Sequence, residues 1–196
     1  MRSHPSVPVL LMALAMFGIS ACKSSAGLIA PADETMKAGE IIESANVDLK
    51  QIKILYDKNE NKRQQIKDAL AAGDAVTVRK LSDDVVYLIN DGAALGKKAL
   101  DKIEQARALN INEDYADYLR MKWEALNKQL EAFEEYRQAA RKLRDQYDPK
   151  NTQVRAAVEA EFKKRSEAYQ RLMEQARDQS TQANELAKEV RQRNIE

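Results

Sequence analysis

The chain has 196 residues, of which 32 are Lys or Arg and 31 are Asp or Glu, so its net charge is close to zero. A balanced charge argues against a general binder of nucleic acid or of anionic lipid, because such proteins carry a basic excess. With one Cys and one His in the whole sequence, intrachain disulfides and zinc sites built from several Cys and His ligands are also excluded.

The N-terminal segment begins with a short polar stretch, residues 1–6, followed by an apolar run over residues 7–19. This run is too short to cross a bilayer permanently, since a spanning helix needs about 20 apolar residues. It has the length of the apolar region of a secretory signal. It leads into the sequence ISAC at residues 19–22, whose Cys is the only one in the chain. The segment resembles a bacterial lipoprotein signal peptide with its lipobox.

The resemblance implies cleavage by signal peptidase II between Ala21 and Cys22, and attachment of lipid to the Cys22 sulfur. Residues 1–21 are then the signal peptide and residues 22–32 a lipidated tether. Lys23 is not the Asp that resembles an inner-membrane retention signal, so the resemblance favours the outer membrane, facing the periplasm. The alternative is an ordinary secretory signal followed by a Cys that carries no lipid.

Removal of the signal peptide would also remove Arg2 and His4, leaving a histidine-free chain with 31 of its 32 basic side chains against 31 acidic ones. Such a chain has no Ser–His or Cys–His nucleophile pair, no haem His ligand and no Glu-x-x-His pair of a di-iron bundle. Catalysis would depend on carboxylates alone, and no carboxylate pair has an isolated, apolar setting. We therefore expect no enzymatic activity, no cofactor and no metal site.

After the tether, apolar residues recur at steps of three and four, which predicts long helices packed at shallow angles. Rows spaced by seven run from Ala38 to Ile66, from Leu119 to Tyr147 and from Phe162 to Val190. Local signals set the boundaries: Gly73 ends the first helix, Asp74 caps the second, Asn112 or Glu113 starts the third, and a turn at 148–151 precedes the fourth. The predicted helices span residues 33–72, 74–109, 113–147 and 151–191.

Helices of this length, joined by loops of a few residues, must lie antiparallel to their sequential neighbours. The expected fold class is all-α, an elongated antiparallel up-down-up-down four-helix bundle with coiled-coil-like packing over residues 33–196. The fourth helix has a narrow apolar face, which leaves open an alternative in which two long hairpins complete their core by dimerising. Gly92 and Gly96, one turn apart in the second helix, indicate a close helix approach, a local bend or a tolerated weak point.

Folding the helices about their loops brings several polar side chains to one level, where they would form a polar layer. Its members are Arg63, Asp84, Arg137 and Arg165. The arginines of the first and third helices would face Asp83 or Asp84 and fix the helix register, since a misaligned bundle leaves a charge unpaired. The alternative is that these long side chains extend to solvent.

The sequence favours a membrane-anchored, non-enzymatic scaffold, adaptor or accessory subunit that binds another envelope protein through helical surfaces. The alternative is a carrier that holds a small apolar ligand or lipid within the bundle, which requires an internal cavity. Tyr115, Tyr118 and Trp123 are candidates for a ligand or partner patch, although aromatic residues at helical spacing more often belong to a core. No nucleic-acid partner is expected, and the oligomeric state stays open.

Overall fold

A computed structural model describes residues 33–193; Cys22, with the rest of the predicted signal peptide and tether, lies outside the described residues. The described chain forms four α-helices and no strand. They are α1 (Thr35–Ala71), α2 (Ala75–Arg107), α3 (Glu113–Gln146) and α4 (Thr152–Arg193). This confirms the all-α four-helix bundle, with each boundary within two residues of its predicted position. Within residues 33–193, no helix combines the length and the apolar character needed to span a membrane.

The helix ends form where the local signals place them. Gly73 adopts a left-handed backbone with φ 67°, just past the end of α1. The Asp74 carboxylate accepts bonds from the backbone N–H groups two and three residues later, at 3.1 and 3.0 Å. Asn112 and Asn151 each accept one from the N–H three residues later, at 2.9 and 3.1 Å. These caps satisfy N–H groups that a helix start would otherwise leave unpaired.

The core follows the predicted seven-residue rows. Every position of the α1 row from Ala38 to Ile66 is buried, as is every position of the α3 row from Leu119 to Tyr147. In α4 the row is buried from Phe162 to Ala183. The apolar stripes of the helices therefore meet along one shared core, and its burial supplies the main stabilising term of the fold.

Contacts at the two ends of the bundle show its connectivity. At one end the Glu34 N–H donates to the carbonyl oxygen of Asn110 at 2.7 Å, which places the start of α1 beside the α2–α3 loop. At the other end, a Cβ added to Gly73 would lie 4.0 Å from the Pro149 Cβ, so the α1–α2 and α3–α4 turns are neighbours. The chain therefore runs up, down, up and down.

The helices α2 and α3 approach closely at the glycine pair. A Cβ added to Gly96 would lie 2.5 Å from Leu130 Cδ2 and 3.2 Å from Leu130 Cγ. A Cβ added to Gly92 would lie 3.3 Å from the Phe133 ring. The structure therefore confirms the interpretation of Gly96 as a point of close helix approach.

Candidate functional site

The boundary between α1 and α4, which we call the α1–α4 seam, differs from the other helix boundaries. Backbones come close between sequential helices and much less between α1 and α4. Ion pairs link the sequential helices: Lys62–Asp84, Arg144–Asp83 and Arg165–Glu135, at 2.6, 3.1 and 2.9 Å. Among the side chains described for residues 33–193, no hydrogen bond or ion pair joins α1 to α4. The α1–α4 seam is therefore held by packing.

A buried arginine fills the middle of the α1–α4 seam. Arg63 is only 5% exposed. Its guanidinium carbon lies 5.1 Å from the centre of the Tyr136 ring on α3 and 4.5 Å from that of the Tyr169 ring on α4. Its Nη1 donates to Glu60 Oε2 at 2.6 Å. Two aromatic faces and one carboxylate thus stabilise the cation away from water.

The surroundings of Arg63, Tyr136 and Tyr169 determine the charge that each side chain carries. Burial lowers the pKa of Arg63, but Tyr169, Tyr136 and Glu60 together raise it by more, so the net effect is a raised pKa. Burial raises the pKa of Tyr136 and of Tyr169 well above the ordinary tyrosine value, against the lowering effect of Arg63. Near neutral pH the arginine is charged and both tyrosines are neutral, so this group offers no acid–base chemistry there.

Several polar atoms in and beside this group are buried without a hydrogen-bond partner among the described residues. They include Asn59 Oδ1, Arg63 Nε, Ser166 Oγ and Tyr169 Oη. An unpaired buried polar group costs about 1–3 kcal/mol, and native structures contain few of them. The middle of the bundle therefore holds several polar atoms among its apolar side chains.

The structure separates two members of the predicted polar layer. Arg63 pairs with Glu60, three residues earlier on the same helix, and Asp84 accepts from Lys62 at 2.6 Å. The expected pairing of Arg63 with Asp83 or Asp84 does not occur, and Arg63 does not extend to solvent either. The physical reason is proximity, because a partner one helical turn away is within reach without crossing the core.

The other two members also have their own partners. Arg137 pairs with Glu134 and donates to Asn90 on α2 at 3.2 Å. Arg165 pairs with Glu135 on α3 at 2.9 Å and with the glutamate four residues earlier at 2.6 Å. Arg165 therefore ties α4 to α3, whereas the four predicted residues form no pairs with one another.

Two open grooves lie along the α1–α4 seam. The Arg63 groove has a volume of about 430 Å³ and the Met173 groove about 570 Å³. The Arg63 groove is lined chiefly by Arg63, Lys67, Leu70, Phe162, Lys163 and Ser166. The Met173 groove is lined chiefly by Leu49, Lys53, Lys122, Leu126, Met173 and Arg177. Because Leu126 belongs to α3, the gap between α1 and α4 reaches down to the third helix.

The remaining predicted sites are placed as follows. Tyr115 and Tyr118 stack with ring centres 5.6 Å apart and pack, partly buried, against the core. Burial raises the pKa of Tyr115 to about 12. Trp123 also packs there, with the Arg107 guanidinium 5.5 Å from its ring centre. Cys22 lies outside the described residues, and within residues 33–193 no group of His, Cys, Asp and Glu is arranged to hold a metal ion.

Sequence reasoning identified Arg63 as unusual but missed its aromatic neighbours and both grooves. The available signal was Arg63 in an otherwise apolar row, with Tyr136 and Tyr169 at core positions of two other helices. No family model, curated protein or solved structure matches this chain. The geometry of the α1–α4 seam is therefore the basis for a functional assignment.

Proposed function

We propose that this chain is a lipid-anchored lipoprotein of the bacterial cell envelope that binds another envelope protein through the α1–α4 seam. It acts as a scaffold, adaptor or accessory subunit without enzymatic activity of its own. The observation that carries the proposal is the seam itself. It combines open grooves and basic side chains at the one boundary where adjacent helices share no hydrogen bond or ion pair among the described residues.

The sequence before the bundle supports the anchoring part of the proposal. The apolar run at residues 7–19 and the sequence ISAC at 19–22 have the pattern of a lipoprotein signal, and Cys22 is the only thiol in the chain. Two or three acyl chains on one residue anchor a protein stably, whereas a single chain binds only marginally. Lys23 favours the outer membrane, with the bundle in the periplasm.

The lipid anchor is tested by metabolic labelling with an alkyne analogue of palmitate, followed by separation of membranes from soluble periplasm. We expect the parent chain to carry the label and to sediment with membranes. Cys22→Ser should lose both properties, because the side chain that would accept the lipid is gone. Ser24→Ala, two residues further on, is the matched control and should retain both. A Cys22→Ser variant that keeps its label or its membrane association would contradict the anchor.

The binding part of the proposal is tested by crosslinking in intact cells. A lysine-reactive crosslinker is applied to cells that make the tagged parent chain or the tagged Cys22→Ser variant. We expect a discrete adduct with a second protein in the parent and much less of it in the variant, because anchoring confines both proteins to one surface. If neither sample yields a discrete adduct, the scaffold and adaptor roles are contradicted.

The Met173 groove favours a second candidate function, a carrier of a small amphiphile. Its floor includes Leu126, Met173 and Ala176, and its volume of about 570 Å³ falls within the range of known ligand sites. The ligand would lie in this open groove, because the space between α1, α2 and α3 beside Phe133 measures only about 10 Å³. Mass spectrometry of an organic extract of the purified full-length protein tests this function, and a lipid in near-stoichiometric amount is the expected result. An extract without one would contradict it.

A further inference from the structure

The α1–α4 seam has the dimensions of a helix-binding groove. Residues of α4 that line the two grooves recur at steps of three and four from Glu159 to Asn184. Those of α1 lie between Leu49 and Leu70, with a step of seven from Tyr56 to Arg63 where one groove gives way to the other. At 1.5 Å per residue these faces are about 38 and 32 Å long. The length matches a helix of six or seven turns and exceeds what a single small ligand occupies.

Basic side chains outnumber acidic ones along this surface. All three charged residues of the Met173 groove are basic: Lys53, Lys122 and Arg177. In the Arg63 groove Lys67 and Lys163 join Arg63, against two glutamates. Lys53 is paired with Asp57 and Arg63 with Glu60. In contrast, Lys67, Lys163 and Arg177 form no ion pair within the described part of the chain. These three cations are therefore open to an anionic partner from outside the chain.

This charge pattern argues against a second copy of the chain as the occupant. A two-fold interface brings the same patch of both copies together. The basic rims would then face each other, and like charges that face each other across an interface disfavour association. A partner with negative charge suits the surface better.

We propose that the α1–α4 seam binds an acidic amphipathic helix of the partner protein. The apolar stripe of that helix would cover Leu49, Leu70 and Met173, which line the grooves and are only partly buried. Its flanking Asp and Glu side chains would pair with Lys67 and Arg177, one in each groove. This is the helix-in-groove mode of recognition, in which apolar anchors supply affinity and flanking charges supply orientation. The inference rests on the proposed function, since it names the kind of partner segment and the surface that holds it.

The experiment is site-specific photocrosslinking in intact cells that make the full-length lipoprotein. A photoreactive amino acid replaces Met173 in the groove or, as a control, Tyr87, which is 64% exposed on α2. The Met173 position is also placed in two charge-reversed backgrounds. Lys67→Glu with Arg177→Glu alters the grooves, and Lys80→Glu with Lys98→Glu makes the same change of net charge on exposed α2 positions. Thermal unfolding of the purified variants checks that all of them fold.

We expect position 173, and not position 87, to form an adduct with a protein. The crosslinked peptide should have an acidic amphipathic helical pattern. The adduct should fall by about tenfold or more in the Lys67/Arg177 background and remain in the Lys80/Lys98 background. An adduct with a lipid, or with a basic segment, would overturn the inference, as would equal yields in both backgrounds. A partner captured only from position 87 would overturn it and the assignment of binding to the α1–α4 seam, while leaving the scaffold or adaptor role intact. Absence of any adduct, at either position and with the lysine-reactive crosslinker, would overturn both.

Discussion

Arg63 illustrates how a single charged residue sits in a helical core without a cross-bundle ion pair. Its guanidinium lies over the rings of Tyr136 and Tyr169, and its carboxylate partner, Glu60, has a side chain that is 49% exposed. The pair is thus buried on one side only. Loss of the arginine would leave Glu60 solvated, so no uncompensated buried charge would result.

Two substitutions of Arg63 can therefore separate the contributions of its volume and of its charge to the free energy of unfolding. We expect Arg63→Ala to lower the free energy of unfolding by about 2–3 kcal/mol, because it removes the packing of a long buried side chain. Arg63→Met keeps most of the volume without the charge and should stay within about 1 kcal/mol of the parent. Urea unfolding of the three proteins measures this. If Arg63→Met proves as damaging as Arg63→Ala, the cation itself stabilises the bundle.

Because of Tyr169, the free energy of unfolding should fall as the pH becomes alkaline. Burial raises its pKa in the folded state, with Arg63 acting in the opposite direction, whereas an unfolded tyrosine titrates near 10. The contribution of Tyr169 to the free energy of unfolding is fully present below about pH 10. It is lost as the pH rises further, because the unfolded chain releases the phenolic proton first. The slope is at most about 1.4 kcal/mol per pH unit for one group.

We therefore expect Tyr169→Phe to lose stability less steeply than the parent between pH 9 and pH 11 (about one unit either side of the ordinary tyrosine value), as measured by urea unfolding. At pH 8 the variant should be at least as stable as the parent, because the removed hydroxyl has no hydrogen-bond partner within residues 33–193. Tyr136→Phe should act in the same direction at alkaline pH. Identical slopes for the parent and both variants would show that these hydroxyls are hydrated in solution.

At the scale of helices, much of the fold could be predicted from the sequence, because its determinants are local. Rows such as Ala38 to Ile66 require only a helical repeat, and Gly73 and Asp74 act on the backbone within a few residues. The surroundings of Arg63 could not be predicted in this way. They depend on how α3 and α4 are rotated about their axes, which a single-helix pattern does not determine.

The α1–α4 seam was beyond sequence reasoning for a related reason. Its central contact joins the Arg63 guanidinium carbon to the Tyr169 ring centre at 4.5 Å, and these side chains come from different helices. The choice of ion-pair partners also depends on distances in the folded bundle. Lys62 pairs with Asp84, and Arg63 pairs with a glutamate on its own helix. The sequence names the charged residues but not which of them are neighbours.

Replacement by Ala should have opposite effects on stability at Gly96, where α2 and α3 approach closely, and at Gly39 on α1, which has more space. Gly96→Ala places a Cβ 2.5 Å from Leu130 Cδ2, so Leu130 must move, and we expect a loss of about 1–2 kcal/mol. At Gly39 the nearest atom to an added Cβ is Tyr115 Oη at 3.9 Å. Gly39→Ala should therefore stabilise the protein by up to about 1 kcal/mol through helix propensity.

A double-mutant cycle tests whether the contact with Leu130 causes the loss of stability in Gly96→Ala. In a Leu130→Ala background the space beside residue 96 is open, so Gly96→Ala should become neutral or stabilising. Thermal and urea unfolding of the four proteins give the coupling energy. A Gly96→Ala penalty that persists without the leucine side chain would show that the backbone at this position, rather than the contact, requires glycine.

At the scale of the whole molecule, the core is completed within one chain. Hydrophobic residues of all four helices, including Ile52, Ile103, Leu143 and Tyr169, belong to one buried cluster. The hairpins α1–α2 and α3–α4 thus cover each other's apolar faces through the contact between α2 and α3. A second chain is not needed to bury them, in contrast to the dimeric alternative.

We therefore expect unfolding of the detergent-free Cys22→Ser protein to be independent of concentration. The urea midpoint should stay constant over a hundredfold dilution range, because a monomer gains nothing by mass action. Light scattering after gel filtration should give the mass of one chain. A midpoint that rises with protein concentration would show that the bundle is completed by association.

The chain enters the bundle at Glu34 and leaves it at Arg193, and the up-down order places both points at the same end. A mechanical pull between them acts across α1 and α4, the two helices that share no polar bond among the described residues. Under tension these helices should part turn by turn from that end, at low force, instead of sliding past each other together. A ligand bound to both helices would hold them together. The unfolding force measured by force spectroscopy should therefore rise when the α1–α4 seam is occupied.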